Sequence, residues 1–143
     1  MKIKRCINPN EYGSLLYNYR ERVAVNKVLK SRRIFRYSTT KYSYVKQFEE
    51  LVEKKFNVNY CLGVINGTAG LITALKGIGI KNGDKVLISA FTYISTALAV
   101  ILCGGIPIPM DIDLLSGIDE NDLLCEIKKG ECKAVIITHL QGR

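Results

Sequence analysis

From residue 59 onward, short apolar runs alternate with segments of helical character, and this alternation restricts the possible folds more than any other feature. The apolar runs carry almost no charge and are rich in β-branched residues, which is typical of buried parallel strands. Alternating strands and helices predict an α/β fold, a three-layer sandwich in which a mostly parallel sheet lies between helices. The predicted strands are 60–65, 86–90, 106–111 and 134–138, and the predicted helices between them are 69–78, 92–103 and 119–129.

The N-terminal part of the chain differs in charge from the rest. Residues 1–55 carry a formal charge of +9, whereas residues 56–143 carry −1. We therefore predict two parts, a basic N-terminal arm with helices over residues 1–58 and an α/β domain over residues 59–143. A basic surface can meet nucleic acid, an anionic substrate or an acidic partner, but a solvated helical face with a partner contact is the favoured interpretation.

Cysteine usage and the N-terminus indicate a cytoplasmic protein. The five cysteines form no C-x-x-C pair and there is one histidine, so no metal site is expected. Met1 is followed by a polar, charged stretch rather than a secretory signal. Residues 86–110 contain no charge and are long enough to cross a bilayer, but their prolines and paired glycines favour a buried strand, helix and strand.

A short polar turn, residues 66–70 (Asn-Gly-Thr-Ala-Gly), follows the first predicted strand and opens a helix. Unbonded N–H groups at a helix start, together with the helix dipole, bind anions. Gly67 lets the backbone approach an anion closely, and Thr68 adds a hydroxyl. The spacing matches neither a P-loop nor a G-x-G-x-x-G fingerprint. Taken alone, the segment is better interpreted as a well-capped helix.

Aromatic residues, Phe91 and Tyr93, follow the next predicted strand. A ring in this position can lie flat on a planar heterocycle, although taken alone it is better explained by core packing. Ligands of parallel sheets bind at the carboxyl ends of the strands, where His139 also follows the last predicted strand. The two segments together are more specific, because an anion site and an aromatic platform would lie at neighbouring strand ends.

Four stretches, taken in order along the chain, carry a resemblance to a known family. They are residues 66–70, residues 77–86 (GIGIKNGDKV), residues 91–97 (FTYISTA) and residues 105–113 (GIPIPMDID). They resemble the DegT/DnrJ/EryC1/StrS family, whose members are pyridoxal 5′-phosphate (PLP)-dependent aminotransferases of fold type I that act mainly on nucleotide-linked keto-sugars. The resemblance covers nearly the whole chain, and the basic N-terminal arm is part of it.

The resemblance implies which residues would hold the cofactor. Gly67, Thr68 and Ala69 would bind the PLP phosphate through backbone N–H groups and a hydroxyl, and Tyr93 would stack on the pyridine ring. His139 would lie near the site, as readily in a packing or supporting role as in a catalytic one. Asn66 stands where the family usually has serine.

The resemblance also implies that the cofactor site is incomplete. In the family, the acid that pairs with the pyridinium nitrogen and the Schiff-base lysine both follow the segment that corresponds to residues 139–142. Both are therefore expected beyond Arg143, and no catalytic residue is assigned. Residues 59–143 would then be an incomplete large domain, and the chain would be the N-terminal part of an enzyme that makes amino sugars for cell-surface polysaccharides or secondary metabolites.

Three interpretations remain open from the sequence. The first is part of a sugar aminotransferase that uses a nucleotide-sugar substrate and an amino-acid donor such as glutamate, either as a homodimer or with a complementing C-terminal chain. The second is a catalytically inactive, truncated relic or interaction protein that keeps the fold. The third, a nucleic-acid-binding module, is the weakest, because the sequence has no helix-turn-helix, RRM or zinc pattern.

Overall fold

The structure, a computed structural model, describes residues 17–32, 34–36, 43–113 and 117–142. Contacts divide the chain into two compact units, residues 1–63 and residues 64–143. Much of the basic arm predicted from the sequence, including Arg33 and Tyr37, lies outside the described residues.

The described part of the first unit contains two helices, α1 (Tyr19–Ser31) and α2 (Tyr44–Phe56). α1 begins with a capping box, in which the Asn18 side chain accepts from the backbone of the first turn and the Glu21 carboxylate accepts from the N–H of Asn18. α2 begins after Ser43, whose hydroxyl accepts a backbone N–H of the first turn. Ser43 is therefore the N-cap of α2.

The strand predicted over residues 60–65 is wrong, because no strand forms there. Side chains of α2, rather than the carbonyls of a neighbouring strand, accept hydrogen bonds from alternate backbone N–H groups of this segment. The N–H of Cys61 donates to Glu53 Oε1 at 2.9 Å, and the N–H of Gly63 donates to Glu49 Oε1 at 2.7 Å. An apolar run looks the same in a sequence whether a strand or a carboxylate binds its backbone, so the pattern could not distinguish them.

Glu49 is a buried acid of the first unit, with 5% of its surface exposed. Besides the N–H of Gly63, it accepts two hydrogen bonds from the Arg36 guanidinium, each 2.9 Å long. The Arg36 hydrogen bond, followed by that of Gly63, holds the pKa of the Glu49 carboxyl below its ordinary value. A charged pair therefore ties residues 36 and 63 to α2.

The second unit has the predicted α/β architecture. Its elements, in chain order, are α3 (Gly67–Gly77), β1 (Lys85–Ser89), α4 (Ser95–Leu102), β2 (Ile106–Met110), α5 (Glu120–Lys128) and β3 (Cys132–Ile136), followed by a 3₁₀ turn, Leu140–Gly142. The sheet has the order β2-β1-β3, and both strand pairs are parallel. The described residues thus form a sheet of three strands rather than the four predicted.

The apolar core lies between the central strand and helices α3 and α4. Val86 and Ile88 of β1 are buried in one cluster with Leu75 of α3 and with Ala99 and Val100 of α4. β1 is buried along nearly its whole length because a strand covers each of its edges. This arrangement explains why β1 reads as a continuous apolar run rather than an alternating one.

β2 lies at an edge of the three-stranded sheet, a position that accommodates its two prolines. The N–H of Ile106 donates to the carbonyl of Asp84, so it points toward β1. Because backbone N–H groups alternate in direction along a strand, an N–H group at position 107 or 109 would point away from β1. Pro107 and Pro109 occupy those positions, where a missing N–H costs no ladder hydrogen bond.

Candidate cofactor site

The first part of the candidate site is the start of α3, residues 66–69, which we call the phosphate cradle. The Asn66 side chain caps the helix, since its Oδ1 accepts the N–H of Ala69 at 2.8 Å. Gly67 is exposed, and a Cβ added to it would meet no atom within 4 Å. The space beside the helix start is therefore open to a ligand.

The cap changes which donors of the phosphate cradle are available. The family resemblance implies that Gly67, Thr68 and Ala69 bind the PLP phosphate, but the N–H of Ala69 already donates to Asn66. The N–H groups of Gly67 and Thr68 have no acceptor within the helix, because the first N–H groups of a helix lack a preceding turn. These two N–H groups and the Thr68 hydroxyl are thus the donors that this conformation offers.

The second part of the site is the loop between β1 and α4, which carries Tyr93. The Tyr93 side chain is 77% exposed, so its ring is accessible on the surface. The backbone around it is held by hydrogen bonds. The N–H of Ala90 donates to the carbonyl of Met110 at 3.0 Å, and the N–H of Thr96 donates to the carbonyl of Tyr93 at 2.9 Å. A fixed loop therefore presents an exposed ring, which we call the aromatic platform.

Three threonine hydroxyls meet behind the aromatic platform. Thr92 Oγ1 lies 3.0 Å from Thr96 Oγ1 and 3.0 Å from Thr138 Oγ1. Thr138 follows β3, so this hydroxyl cluster joins the carboxyl ends of β1 and β3. Neither Thr96 nor Thr138 was predicted from the sequence to be a site residue. The only available signal for Thr138 was a hydroxyl residue at the end of the last apolar run, next to His139.

The phosphate cradle and the aromatic platform face the same edge of the sheet. Helices α3 and α4 pack side by side, and their C-terminal ends meet, where Lys76 Nζ donates to the carbonyl of Cys103 at 2.9 Å. The Cys103 thiol also donates to the carbonyl of Ile72. At 1.5 Å per residue, the start of each helix lies roughly 12–14 Å from this meeting point. Because α4 begins just beyond β1, both helix starts lie at the carboxyl ends of the strands.

His139 lies just beyond β3, at the edge predicted from the sequence. It is exposed, and its carbonyl accepts the N–H of Gly142 at 3.1 Å, which closes the last turn. A role for His139 beside the cofactor stays a prediction.

The lysines of the second unit cluster at the opposite edge of the sheet. In the described residues 64–113 and 117–142 they occupy the ends of α3 and α5, the turn between α3 and β1, and the beginnings of β1 and β3, at positions 76, 81, 85, 128, 129 and 133. Lys85 donates to Glu131 and thereby holds the pKa of that carboxyl below its ordinary value. Lys133 Nζ lies 3.6 Å from Asp84 Oδ2. The described part of this unit therefore places no lysine beside the phosphate cradle.

Within the described residues, no group of three or more His, Cys, Asp or Glu side chains could hold a metal ion. None of the helices in that part of the chain has the length and apolar character needed to span a bilayer.

Comparison with known proteins agrees with these features. The model of the DegT/DnrJ/EryC1/StrS aminotransferase family matches residues 18–143. Protein MosB of Rhizobium meliloti is 36% identical over 98 residues, which cover 68% of this chain and 19% of that protein. GDP-perosamine synthase of Escherichia coli O157:H7 is 32% identical over 124 residues, which cover 86% of this chain and 33% of that enzyme.

Solved structures show the same fold. The crystal structure of 3-amino-5-hydroxybenzoic acid synthase matches with a TM-score of 0.77 and 26% identity, over 86% of this chain and 31% of that one. This chain thus spans about a fifth to a third of the length of these relatives. The family and its structural neighbours are PLP-dependent aminotransferases of fold type I, which confirms the predicted fold class and cofactor. The chain belongs to the DegT/DnrJ/EryC1/StrS aminotransferase family.

Proposed function

We propose that this chain provides the phosphate-binding and ring-binding part of a PLP site in a cytoplasmic aminotransferase that acts on nucleotide-linked keto-sugars. An amino acid such as glutamate would be the amino donor. The observation that carries the proposal is the open start of α3 at Gly67 and Thr68, which faces the same sheet edge as the exposed ring of Tyr93. Residues 59–143 would be the cofactor-binding domain, and residues 1–58 an arm and helices that contact substrate or a second chain.

The residues present fit the cofactor. The phosphate would bind the N–H groups of Gly67 and Thr68 and the Thr68 hydroxyl, with the dipole of α3 favouring its negative charge. The Tyr93 ring would cover one face of the pyridine and exclude water from it. The N–H of Ala69 becomes a further donor only when the Asn66 side chain turns away from it. When bound, PLP supplies the electron sink that amino-group transfer requires.

The lysine that holds the cofactor covalently would come from outside the described part of the second unit. The six lysines of that unit lie at the amino ends of the strands, whereas the proposed site lies at the carboxyl ends. We therefore propose that turnover requires a further segment that supplies the lysine, such as a complementing C-terminal chain, and that the assembled enzyme is a homodimer. The same position of the lysines also favours the second candidate, a non-catalytic relic or interaction protein that keeps the fold.

Binding of pyridoxine 5′-phosphate tests the cofactor site. This ligand has the ring and phosphate of PLP but no aldehyde, so it cannot react with surface lysines. We expect calorimetry to show that the 143-residue chain binds this ligand. Tyr93→Leu should weaken binding about threefold to tenfold through loss of ring stacking. Tyr19→Leu is the matched control, because Tyr19 is 78% exposed and Tyr93 is 77% exposed. Absence of binding, or equal binding by Tyr93→Leu, would contradict the proposal.

A turnover assay distinguishes the two candidates. The protein is incubated with PLP, glutamate and a nucleotide-linked keto-sugar, alone and after co-expression with the chain encoded next to it. Turnover only after co-expression supports a divided enzyme, and no turnover in either case supports the relic. Turnover by these 143 residues alone would overturn the proposed position of the lysine.

A further inference from the structure

We propose that Thr138 is a positioning residue for the aromatic platform, acting through the hydroxyl of Thr92. This inference rests on the proposed function, because it assumes that the Tyr93 ring is the surface on which the cofactor ring lies. Thr92 immediately precedes Tyr93, and its Oγ1 lies 3.0 Å from that of Thr138. The platform loop follows β1, whereas Thr138 follows β3, so the contact joins two strand ends.

The backbone, rather than side-chain packing, must determine where the Tyr93 ring lies. The ring is 77% exposed, so neighbouring side chains restrain it little. The loop is held to β2 by the N–H of Ala90, which donates to the carbonyl of Met110. The contact of Thr92 with Thr138 holds the same loop to β3, on the other side of β1. Together, these two contacts hold the loop to both strands that flank the central strand.

The three hydroxyls of the cluster can serve as hydrogen-bond donors and acceptors for one another. Each threonine hydroxyl carries one proton and can also accept, so three hydroxyls can form the two observed contacts in either direction. Thr96 is 5% exposed, and its hydroxyl therefore depends on a protein partner rather than on water. Removing the Thr138 hydroxyl leaves the contact of Thr92 with Thr96 in place. That change isolates the link between the platform loop and β3.

The test compares the binding of two ligands to the 143-residue chain. Pyridoxine 5′-phosphate needs both the phosphate cradle and the aromatic platform, whereas inorganic phosphate needs only the cradle. We expect Thr138→Val, which has nearly the same shape without the hydroxyl, to weaken pyridoxine 5′-phosphate binding about threefold to tenfold. Binding of inorganic phosphate should stay unchanged. Thr138→Ser keeps the hydroxyl and should restore binding of the ring ligand.

The outcomes separate this inference from the proposed function. If the unaltered protein binds pyridoxine 5′-phosphate and Thr138→Val binds it equally well, the positioning role is overturned and the proposed function stands. If Thr138→Val weakens both ligands equally, its role is structural and the inference is also overturned. If the unaltered protein binds no pyridoxine 5′-phosphate, both fail. Should Thr138→Val fail to fold, Thr92→Val removes the same link together with the contact of Thr92 with Thr96, and the same selective loss of ring-ligand binding is expected.

Discussion

The two helix starts that form the candidate site are held in different ways. The start of α3 is held by a local contact, because the Asn66 side chain accepts the N–H of Ala69, which is three positions away. α4 has no side-chain cap. The loop before it is held by Met110 on a neighbouring strand and by Thr138, which lies 46 positions from Thr92 in the sequence. The phosphate cradle is thus a local structure, whereas the aromatic platform depends on the assembled sheet.

This difference bears on function because one ligand would need both parts. A helix start with its own cap can form before the sheet is complete, and it needs few tertiary contacts. The platform reaches its position only when β1, β2 and β3 are paired. Disturbing the sheet should therefore affect ring binding more than phosphate binding, and the following changes test that expectation.

The largest effect is expected from Leu87→Ala. Leu87 lies in the central strand and is 1% exposed. Its truncation should lower the free energy of unfolding by about 2–5 kcal/mol, since transfer and cavity terms add. Urea denaturation measures the loss. Amide hydrogen exchange of Ala90, bonded across strands to Met110, should accelerate much more than that of Ala69, whose cap opens locally.

The control for this change is Leu98→Ala. Leu98 lies on α4 and is 44% exposed, so its truncation should cost less than about 1 kcal/mol. Equal acceleration of the Ala69 and Ala90 amides in Leu87→Ala would show that the cradle depends on the sheet as much as the platform does.

A smaller effect is expected from the local cap. Asn66→Ala should lower the free energy of unfolding by about 0.5–2 kcal/mol, because the N–H of Ala69 loses its acceptor. Asn66→Ser should keep most of the stability, since serine also caps helices well. Exchange of the Ala69 amide should accelerate while that of Ala90 stays unchanged. A faster Ala90 amide would contradict the independence of the two parts.

The smallest effect, confined to one segment, is expected from acid. The pKa of Glu49 is lowered by the hydrogen bonds of Arg36 and Gly63, so its stabilising contribution is complete above the ordinary value of 4.5. The contribution is lost as the pH falls through the lowered pKa. From about pH 6 to about pH 3, the Gly63 amide should lose protection, whereas the Asn66 cap has no titrating group. NMR-detected exchange measures both amides.

Glu49→Gln is the control for the acid experiment, because it keeps an acceptor for Gly63 without the titrating charge. Its Gly63 amide should be less protected at neutral pH and should not respond to acid through residue 49. If Gly63 responds to pH identically in both proteins, Glu49 does not hold this segment.

Much of the fold could be predicted because it depends on local patterns. Alternating apolar and helical segments predicted an α/β fold with a parallel sheet. The helix predicted over residues 69–78 is observed at Gly67–Gly77, with Asn66 as its N-cap. The strand predicted over residues 60–65 is absent, because carboxylates distant in sequence bind its backbone. Apolar periodicity carries no information about such partners.

By itself, the sequence determined the class of fold, the family and the helix start at residues 66–69, since these depend on patterns and contacts among near neighbours. Only the tertiary structure decided the rest. It showed that Ala69 donates to Asn66, that the described lysines of the second unit lie at the opposite edge of the sheet, and that Thr138 reaches the loop of Tyr93. Each of these depends on which chain segments meet in space, and strand pairing brings together residues whose separation in the sequence gives no indication that they touch.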